Sequence, residues 1–327
     1  MSHRGMGQLS LAESIVARRE QRPWLREVHE LIDWERVSQR LSVLYAAREG
    51  RPSYPPVVMF RALLLQQWHQ LSDPGLEAAL EDRLSFREFA GLALNEQVPD
   101  HSTISRFRAQ LSRRGLDEAL FAEVSEQLES KRLVVKRGTL IDASLVRAAV
   151  REPDRGERGE KLGQGSPLDS DAQWTHRKGG GGSHFGYKAH VAVDLGSGLI
   201  RKVLLTGAKT NDGEVADQLI CGDEGAVLAD KAYDSSARRE LLARLGIADG
   251  IMRRAWWGTA RNPDPQLTAR NRALARIRWR VERTFALMKL HYRYRRVRYR
   301  GLLRNRVQLV TMCIAINLKR ALVLSSA

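Results

Sequence analysis

The chain changes character near Lys136, and this change constrains its fold more than any other feature of the sequence. Before that point apolar residues recur at helical spacing, first between Pro55 and Leu71 and again from Asp73 to Leu84. After it, short apolar segments typical of β-strands alternate with helical segments. We therefore predict an all-helical domain over residues 1–130 and an α/β domain over residues 131–327.

The order of elements in the second domain can be predicted. They are an apolar strand at Gly138–Ser144, a β-hairpin of Tyr187–Asp194 and Leu199–Thr206, a helix at Glu214–Ile220, a strand at Ala226–Ala229, a helix at Ser235–Leu245, a strand at Ile247–Met252 and a long helix at Thr268–Leu290. This β-β-β-α-β-α-β-α order is that of the ribonuclease H-like fold, a mixed sheet flanked by helices. Before the hairpin, the polar, glycine-rich stretch Glu152–Ser183 predicts a flexible loop.

Three acidic residues occupy prominent places in this order. Asp142 and Asp230 each follow an apolar strand segment directly, where a parallel sheet presents side chains at its C-terminal edge. Glu282 lies on the long helix, where about 100° per residue places it within about 40° of Arg278 and Lys289. Singly, each acid is explained as well by a turn or a surface ion pair. Together they match two-metal phosphoryl transfer, which needs about three converging carboxylates.

Positive charge is concentrated around Glu282. The chain carries 54 Lys and Arg against 38 Asp and Glu, a net charge of +16, and Arg predominates, which suits bidentate contact with phosphate. The segment Arg270–Arg306 contains fourteen basic residues and one acid. Such a run is often a solvated face, but beside the three acids it favours contact with a DNA backbone. The candidate DNA-binding residues of this segment are Arg278, Lys289, Arg293, Arg295, Arg296, Arg298 and Arg300.

A second candidate for DNA contact lies in the helical domain. The segment Pro99–Thr103 offers an N-cap to a short helix that follows it, and Arg106 and Arg108 would lie on the exposed side of that helix. A DNA-reading helix and a plain surface helix explain this pattern equally well.

Four residues of the second domain have competing explanations. Lys188 and His190 stand on the polar side of the hairpin, where they would either approach DNA or simply face solvent. Trp256 and Trp257 would either stack on a base or pack in the core, and core packing is favoured.

The cysteines and the terminal segments bear on the cellular compartment. Cys221 and Cys313 are far apart, without C-x-x-C spacing, so neither a disulfide framework nor a zinc site is indicated, and a reducing cytoplasm fits. The N-terminus lacks a signal pattern. The apolar stretch Val307–Leu324 is interrupted by polar residues and predicts a core helix, so no membrane association is expected.

From about Tyr54 to its C-terminus, the chain resembles the IS5 group of bacterial insertion-sequence transposases, within the wider IS4-like set of DDE enzymes. The matching segments are Pro99–Phe107, Ile141–Ser144, His184–His190 and Leu228–Ser235. Around its glutamate the wider family carries a Tyr-x2-Arg-x3-Glu-x6-Lys signature. Here Arg278, Glu282 and Lys289 match it, whereas Ala275 stands in place of the tyrosine.

The resemblance implies a function for the whole chain. Asp142, Asp230 and Glu282 would bind two Mg²⁺ ions, replaceable by Mn²⁺, while Arg278 and Lys289 would hold phosphates near the transposon end. The helical domain would recognise terminal inverted repeats, and the enzyme would cleave these ends and transfer them to target DNA. Two paired ends imply a homodimer or a larger assembly, at work on the nucleoid in the bacterial cytoplasm.

Two other functions fit parts of the sequence. The three carboxylates alone also permit another nuclease of the ribonuclease H-like fold, although the helical domain and the local motifs argue against it. A transposase-derived repressor that binds DNA without cutting it is the non-enzymatic alternative. The intact acids at 142, 230 and 282 argue against loss of catalysis.

Overall fold

The computed structural model describes residues 23–45, 53–151, 168–176, 182–254 and 264–326. The chain divides into two compact units, Met1–Leu133 together with Val310–Ala327, and Val134–Leu309. The predicted domains, residues 1–130 and 131–327, differ from this division chiefly in placing Val310–Ala327 with the sheet. The predicted base-stacking candidates Trp256 and Trp257 lie outside the described residues.

The first unit is helical, as predicted. Its described helices are α1 (Pro23–Leu31), α2 (Trp34–Leu41), α3 (Pro56–His69), α4 (Asp73–Asp82), α5 (Leu84–Ala90), α6 (His101–Arg114) and α7 (Leu116–Ser130). Local chemistry sets several helix ends: the Asp33, Ser72 and Asp100 side chains accept hydrogen bonds from backbone N–H groups of the first turns of α2, α4 and α6. At the C-terminal ends, Gly91 and Gly115 adopt the left-handed conformation that terminates a helix.

The second unit contains the sheet. Its elements are β1 (Thr139–Arg147), β2 (Gln173–His176), β3 (Ser183–Asp194), β4 (Ile200–Gly207), α8 (Asp212–Val215), β5 (Ala226–Ala229), α9 (Ser236–Arg244), β6 (Ala248–Ile251), α10 (Pro265–Arg278), α11 (Arg280–Leu290) and the first part of α12 (Leu302–Ser325). Short 3₁₀ turns follow α8 at Ala216–Leu219 and β5 at Lys231–Tyr233.

The sheet is mixed, with strand order β2-β3-β1-β5-β6, and β4 also pairs with β3. β1, β3 and β4 are antiparallel, whereas β1, β5 and β6 are parallel. One face carries a core of apolar residues from the strands and from the helices that cover it, including Ile141, Ala229, Leu219 and Leu242. This topology confirms the predicted ribonuclease H-like fold.

Three predicted elements differ in the structure. β1 continues to Arg147 instead of ending at Ser144, because its second half pairs with β3. Strand β2 lies inside the predicted loop Glu152–Ser183, where Trp174 is buried beside Phe185; residues 152–167 and 177–181 of that loop lie outside the described residues. The predicted long helix is divided at Trp279 into α10 and α11.

Helix α12 contains the apolar stretch predicted to form a core helix. It is long and apolar enough to cross a membrane by length and composition, but 72% of its most apolar 18-residue window is buried within the structure. In the helical unit, the Trp68 indole N–H donates to the carbonyl of Ala315, 2.9 Å away. The C-terminal part of α12 therefore packs as a core helix, as predicted.

Candidate active site

The register of two parallel strands brings Asp142 and Asp230 side by side. In the β1–β5 pair, Ile141 is aligned with Ala229, and each aspartate is the next residue of its strand segment. Because neighbouring strands lie about 4.8 Å apart, the two carboxylates project next to each other from the same face of the sheet. Backbone N–H groups orient both: Asp142 Oδ1 accepts from Ala143 N at 2.9 Å, and Asp230 Oδ1 accepts from Ala232 N at 2.6 Å.

The surroundings of Asp142 disfavour the charged form of its carboxyl group. Burial raises its pKa to about 6, and the negative charges of Asp230 and Asp212 act in the same direction. Arg278 opposes these effects, since its Nη1 lies 3.0 Å from Asp142 Oδ2 and both side chains are only 20% exposed. Arg278, which was predicted to hold a phosphate, thus forms a direct ion pair with the first acid.

Glu282 is not assembled with the two aspartates. It lies in the first turn of α11, a helix that packs against β1, and its side chain is exposed. Among the described residues, the oxygens of the three acids do not form a set that lies within 4.8 Å. The break at Trp279 separates Glu282 from Arg278, so the single helical stripe predicted for Arg278, Glu282 and Lys289 holds only for the last two, which share α11.

Two residues near the aspartates were missed by sequence reasoning. Asp212 opens α8, and its charge raises the pKa of Asp142. Tyr233 closes the 3₁₀ turn that begins after Asp230, and its side chain is buried. The available signal was the position of Asn211-Asp212 directly before a predicted helix, a pattern usually explained as a cap.

Two family models match the chain. The model described as "Transposase DDE domain" matches residues 134–318, more than half of the chain, and the model described as "Transposase domain (DUF772)" matches residues 13–110. The chain belongs to the DDE transposase family. It is therefore a transposase, an enzyme that acts on DNA, and its placement in the IS5 group remains a prediction.

A solved structure titled "Crystal structure of the Mos1 Strand Transfer Complex" was also matched. It is 14% identical to the transposase, with 85% of this chain and 84% of that chain covered and a TM-score of 0.20. Because that score is too low to establish a shared fold, the family assignment depends on the two family models.

The polar side of the hairpin of the transposase is buried, contrary to the expected solvent-facing surface. His190 is fully buried, and burial lowers its pKa to about 4, so the ring is neutral at neutral pH. Lys188 Nζ lies 2.8 Å from Asp212 Oδ1 and also donates to the Thr210 carbonyl. The alternation within β3 did not reveal this, because helices and turns from elsewhere in the chain cover that face.

The part of the basic segment between Arg293 and Arg300 lies on a loop of the transposase whose backbone is hydrogen-bonded to β1. Arg147 N donates to the Arg295 carbonyl at 3.0 Å, and Val297 N donates to the Arg147 carbonyl at 2.9 Å. Tyr294 and Val297 are buried and anchor the loop. The side chains of Arg293, Arg295, Arg296 and Arg300 are exposed, whereas Lys289 and Arg298 are half-buried.

Of the two arginines predicted on the exposed side of α6, only Arg106 is exposed. Its guanidinium donates to the hydroxyls of Ser102 and Thr103. Arg108 is buried, with its Nη2 2.6 Å from Asp73 Oδ1 and within hydrogen-bond distance of Gln66. The prediction was wrong for Arg108 because α6 packs against α4, which carries Asp73.

A second acidic cluster lies away from the two aspartates. One potential ligand atom each from Cys221, Asp223 and Glu224 lies within 4.8 Å of the others. Basic groups already neutralise it: Arg201 contacts both acids, and Lys136 Nζ lies 2.7 Å from Asp223 Oδ2. This cluster is therefore explained as a loop closed by ion pairs.

Proposed function

We propose that this transposase cleaves the ends of its insertion sequence and joins them to target DNA with two divalent cations held by Asp142, Asp230 and Glu282. The observation that carries the proposal is the β1–β5 register, which places two carboxylates in adjacent positions at the end of a parallel strand pair. Oxygen donors of this kind suit Mg²⁺, and Mn²⁺ can replace it.

The electrostatics of the site support cation binding. Burial and neighbouring acids raise the pKa of Asp142, which means that its charged form lacks sufficient compensation. When bound, two such ions would activate the attacking oxygen and stabilise the leaving oxygen of the cleaved strand. The break at Trp279 separates Glu282 from Arg278. The exposed carboxylate of Glu282 would complete the ligand set when DNA is in place.

The basic residues have separate tasks in this proposal. Arg278 neutralises Asp142 in the structure, and it would turn to a phosphate of the scissile strand once a cation takes over that role. Lys289, on the Glu282 side of α11, would hold a neighbouring phosphate. The exposed arginines between Arg293 and Arg300 would track the DNA backbone, together with Arg298.

The remaining parts of the proposal concern recognition and assembly. The helical unit, including the exposed Arg106, would bind the terminal inverted repeats, in line with its match to a transposase domain. Lys188 contacts DNA only if its ion pair with Asp212 opens. Pairing of two transposon ends calls for at least a dimer, working on the bacterial nucleoid.

Substitution of the three acids tests the proposal. Asp142→Asn, Asp230→Asn and Glu282→Gln each remove a charged ligand with little change of shape, so cleavage of inverted-repeat DNA in Mg²⁺ should be lost while DNA binding is retained. Glu240→Gln, which changes an exposed acid on α9, serves as the matched control and should cleave normally. Near-normal cleavage by an acid variant would refute its role, and retained DNA binding without cleavage in the wild type would favour the repressor alternative.

A further inference from the structure

The hydroxyl of Tyr233 is buried without a hydrogen-bond partner among the described residues. The side chain is 1% exposed. Burial raises the pKa of this phenol well above its usual range, and the charges that add to the effect are, in order, Asp212, Asp142 and Asp230. The charges of three carboxylates thus act on this hydroxyl, and one of the three belongs to no part of the catalytic set proposed above. Buried hydroxyls in proteins are normally satisfied, so this position is suited to a polar ligand.

The backbone holds Asp212 beside the turn that follows Asp230. Helix α8 packs against the 3₁₀ turn Lys231–Tyr233, and a Cβ added at Gly213 would lie 3.4 Å from the Ala232 carbonyl. Arg238, which is itself buried, donates both to the Gly213 carbonyl at 2.7 Å and to the Tyr233 carbonyl. Backbone contacts thus fix Asp212 beside the turn that follows Asp230, although among the described residues the oxygens of Asp142, Asp212 and Asp230, like those of the set with Glu282, do not all lie within 4.8 Å of one another.

The local charges do not balance. Asp142 is paired with Arg278, and Asp212 is paired with Lys188 at 2.8 Å, which leaves Asp230 without an ion pair among the described residues. His190, the other basic residue beside Lys188, is buried and neutral. Three carboxylates facing two cationic side chains leave one negative charge, and a divalent cation would offset it.

We propose that Asp212 is a further cation-binding carboxylate of the Asp142–Asp230 site, and that Lys188 neutralises it until a cation binds. This inference rests on the proposed function, because it requires a divalent cation at the two aspartates. Tyr233 would then satisfy its hydroxyl against the ligands gathered there. Lys188 acts as the counter-ion of Asp212 that a bound cation would displace.

Mn²⁺ binding to the full chain without DNA tests this inference. Free Mn²⁺ would be measured by electron paramagnetic resonance during titration of the wild type and five variants. Asp212→Asn should weaken binding by about 10–100-fold, the range typical when a group that supports a metal site is lost. Glu214→Gln removes the same charge two residues away on an exposed side chain, and it should stay within about twofold of the wild type. Lys188→Met frees Asp212 and should bind Mn²⁺ at least as tightly as the wild type.

Each outcome decides the question. If Asp212→Asn binds Mn²⁺ like Glu214→Gln, or if Lys188→Met weakens binding, the inference is overturned, because Asp212 would then matter only through its ion pair. If circular dichroism shows that Asp212→Asn does not fold, the Lys188→Met titration decides alone. The other two variants, Asp142→Asn and Asp230→Asn, separate the two proposals. Normal Mn²⁺ binding by both would overturn the proposed function and this inference together, whereas loss of binding in these two with normal binding in Asp212→Asn would overturn this inference alone.

Discussion

At the scale of single residues, the sequence identified the acids but not their surroundings. Asp142 and Asp230 could be chosen because each follows an apolar strand segment, and the strand register places them together. The ion pair of Arg278 with Asp142 depends on a helix more than 130 positions away, and the burial of Arg108 depends on α4. Neither contact leaves a local signal in the sequence.

The raised pKa of Asp142 predicts a pH-dependent contribution to stability. The pKa of Asp142 is about 6 in the folded state and has an ordinary value of 3.8. Between these values the native state binds the extra proton, so the free energy of unfolding falls as pH rises through them. This shift of about two pKa units corresponds to a change of at most about 3 kcal/mol in the free energy of unfolding. Denaturant unfolding in EDTA should show the wild type losing stability between pH 4 and pH 7 relative to Asp142→Asn. If the free energies of unfolding of the two proteins changed with pH in the same way, this would contradict a raised pKa of Asp142 in the folded state.

At the scale of elements, periodicity located most strands and helices but not their interruptions. Apolar spacing on both sides of Trp279 is compatible with one helix, and the break became visible only in the backbone, where Glu282 N donates to the Trp279 carbonyl three residues before it. Strand β2 was not predicted, because it has only four residues and the glycine-rich sequence around it is typical of a loop. The burial of both faces of β3 is a property of the assembled unit.

Helix α11 predicts different roles for two of its basic residues. Lys289 is seven residues from Glu282 and lies on the same side, whereas Arg280 lies about 200° away. With DNA saturating, Lys289→Ala should slow cleavage of pre-formed inverted-repeat ends by on the order of tenfold or more, because a phosphate beside the cations loses its positioning charge. Arg280→Ala should cleave at nearly the wild-type rate. Equal defects in both variants would refute the assignment of one active face to α11.

At the scale of the whole molecule, charge rather than shape points to the partner. The net charge is +16, and the exposed arginines of the 293–300 segment are held on a loop whose backbone is tied to β1. Composition was sufficient to predict nucleic acid as the partner. Which arginines are exposed required the structure, since Tyr294 and Val297 turn inward between them.

This surface predicts steep salt dependence of DNA binding. Contacts with about 6–10 phosphates would lower the affinity roughly 10³–10⁵-fold between 50 and 200 mM salt, through release of counterions. Fluorescence anisotropy with an inverted-repeat duplex would measure it, and replacement of Arg293, Arg295 and Arg296 by Ala should flatten the slope. If the triple replacement leaves the salt dependence of the affinity unchanged, the DNA-binding surface lies elsewhere on the protein.

The central claim, that Asp230 and Asp142 together hold the catalytic cations, is tested most directly by changing the chemistry of one ligand. In Asp230→Cys a thiolate replaces a carboxylate, and thiolates are poor ligands for hard Mg²⁺ but better ligands for the softer Mn²⁺. Cleavage of inverted-repeat DNA should therefore be lost in Mg²⁺ and recovered in part in Mn²⁺, while Asp230→Ala stays inactive with both ions. Normal cleavage by Asp230→Cys in Mg²⁺ would contradict direct ligation by Asp230.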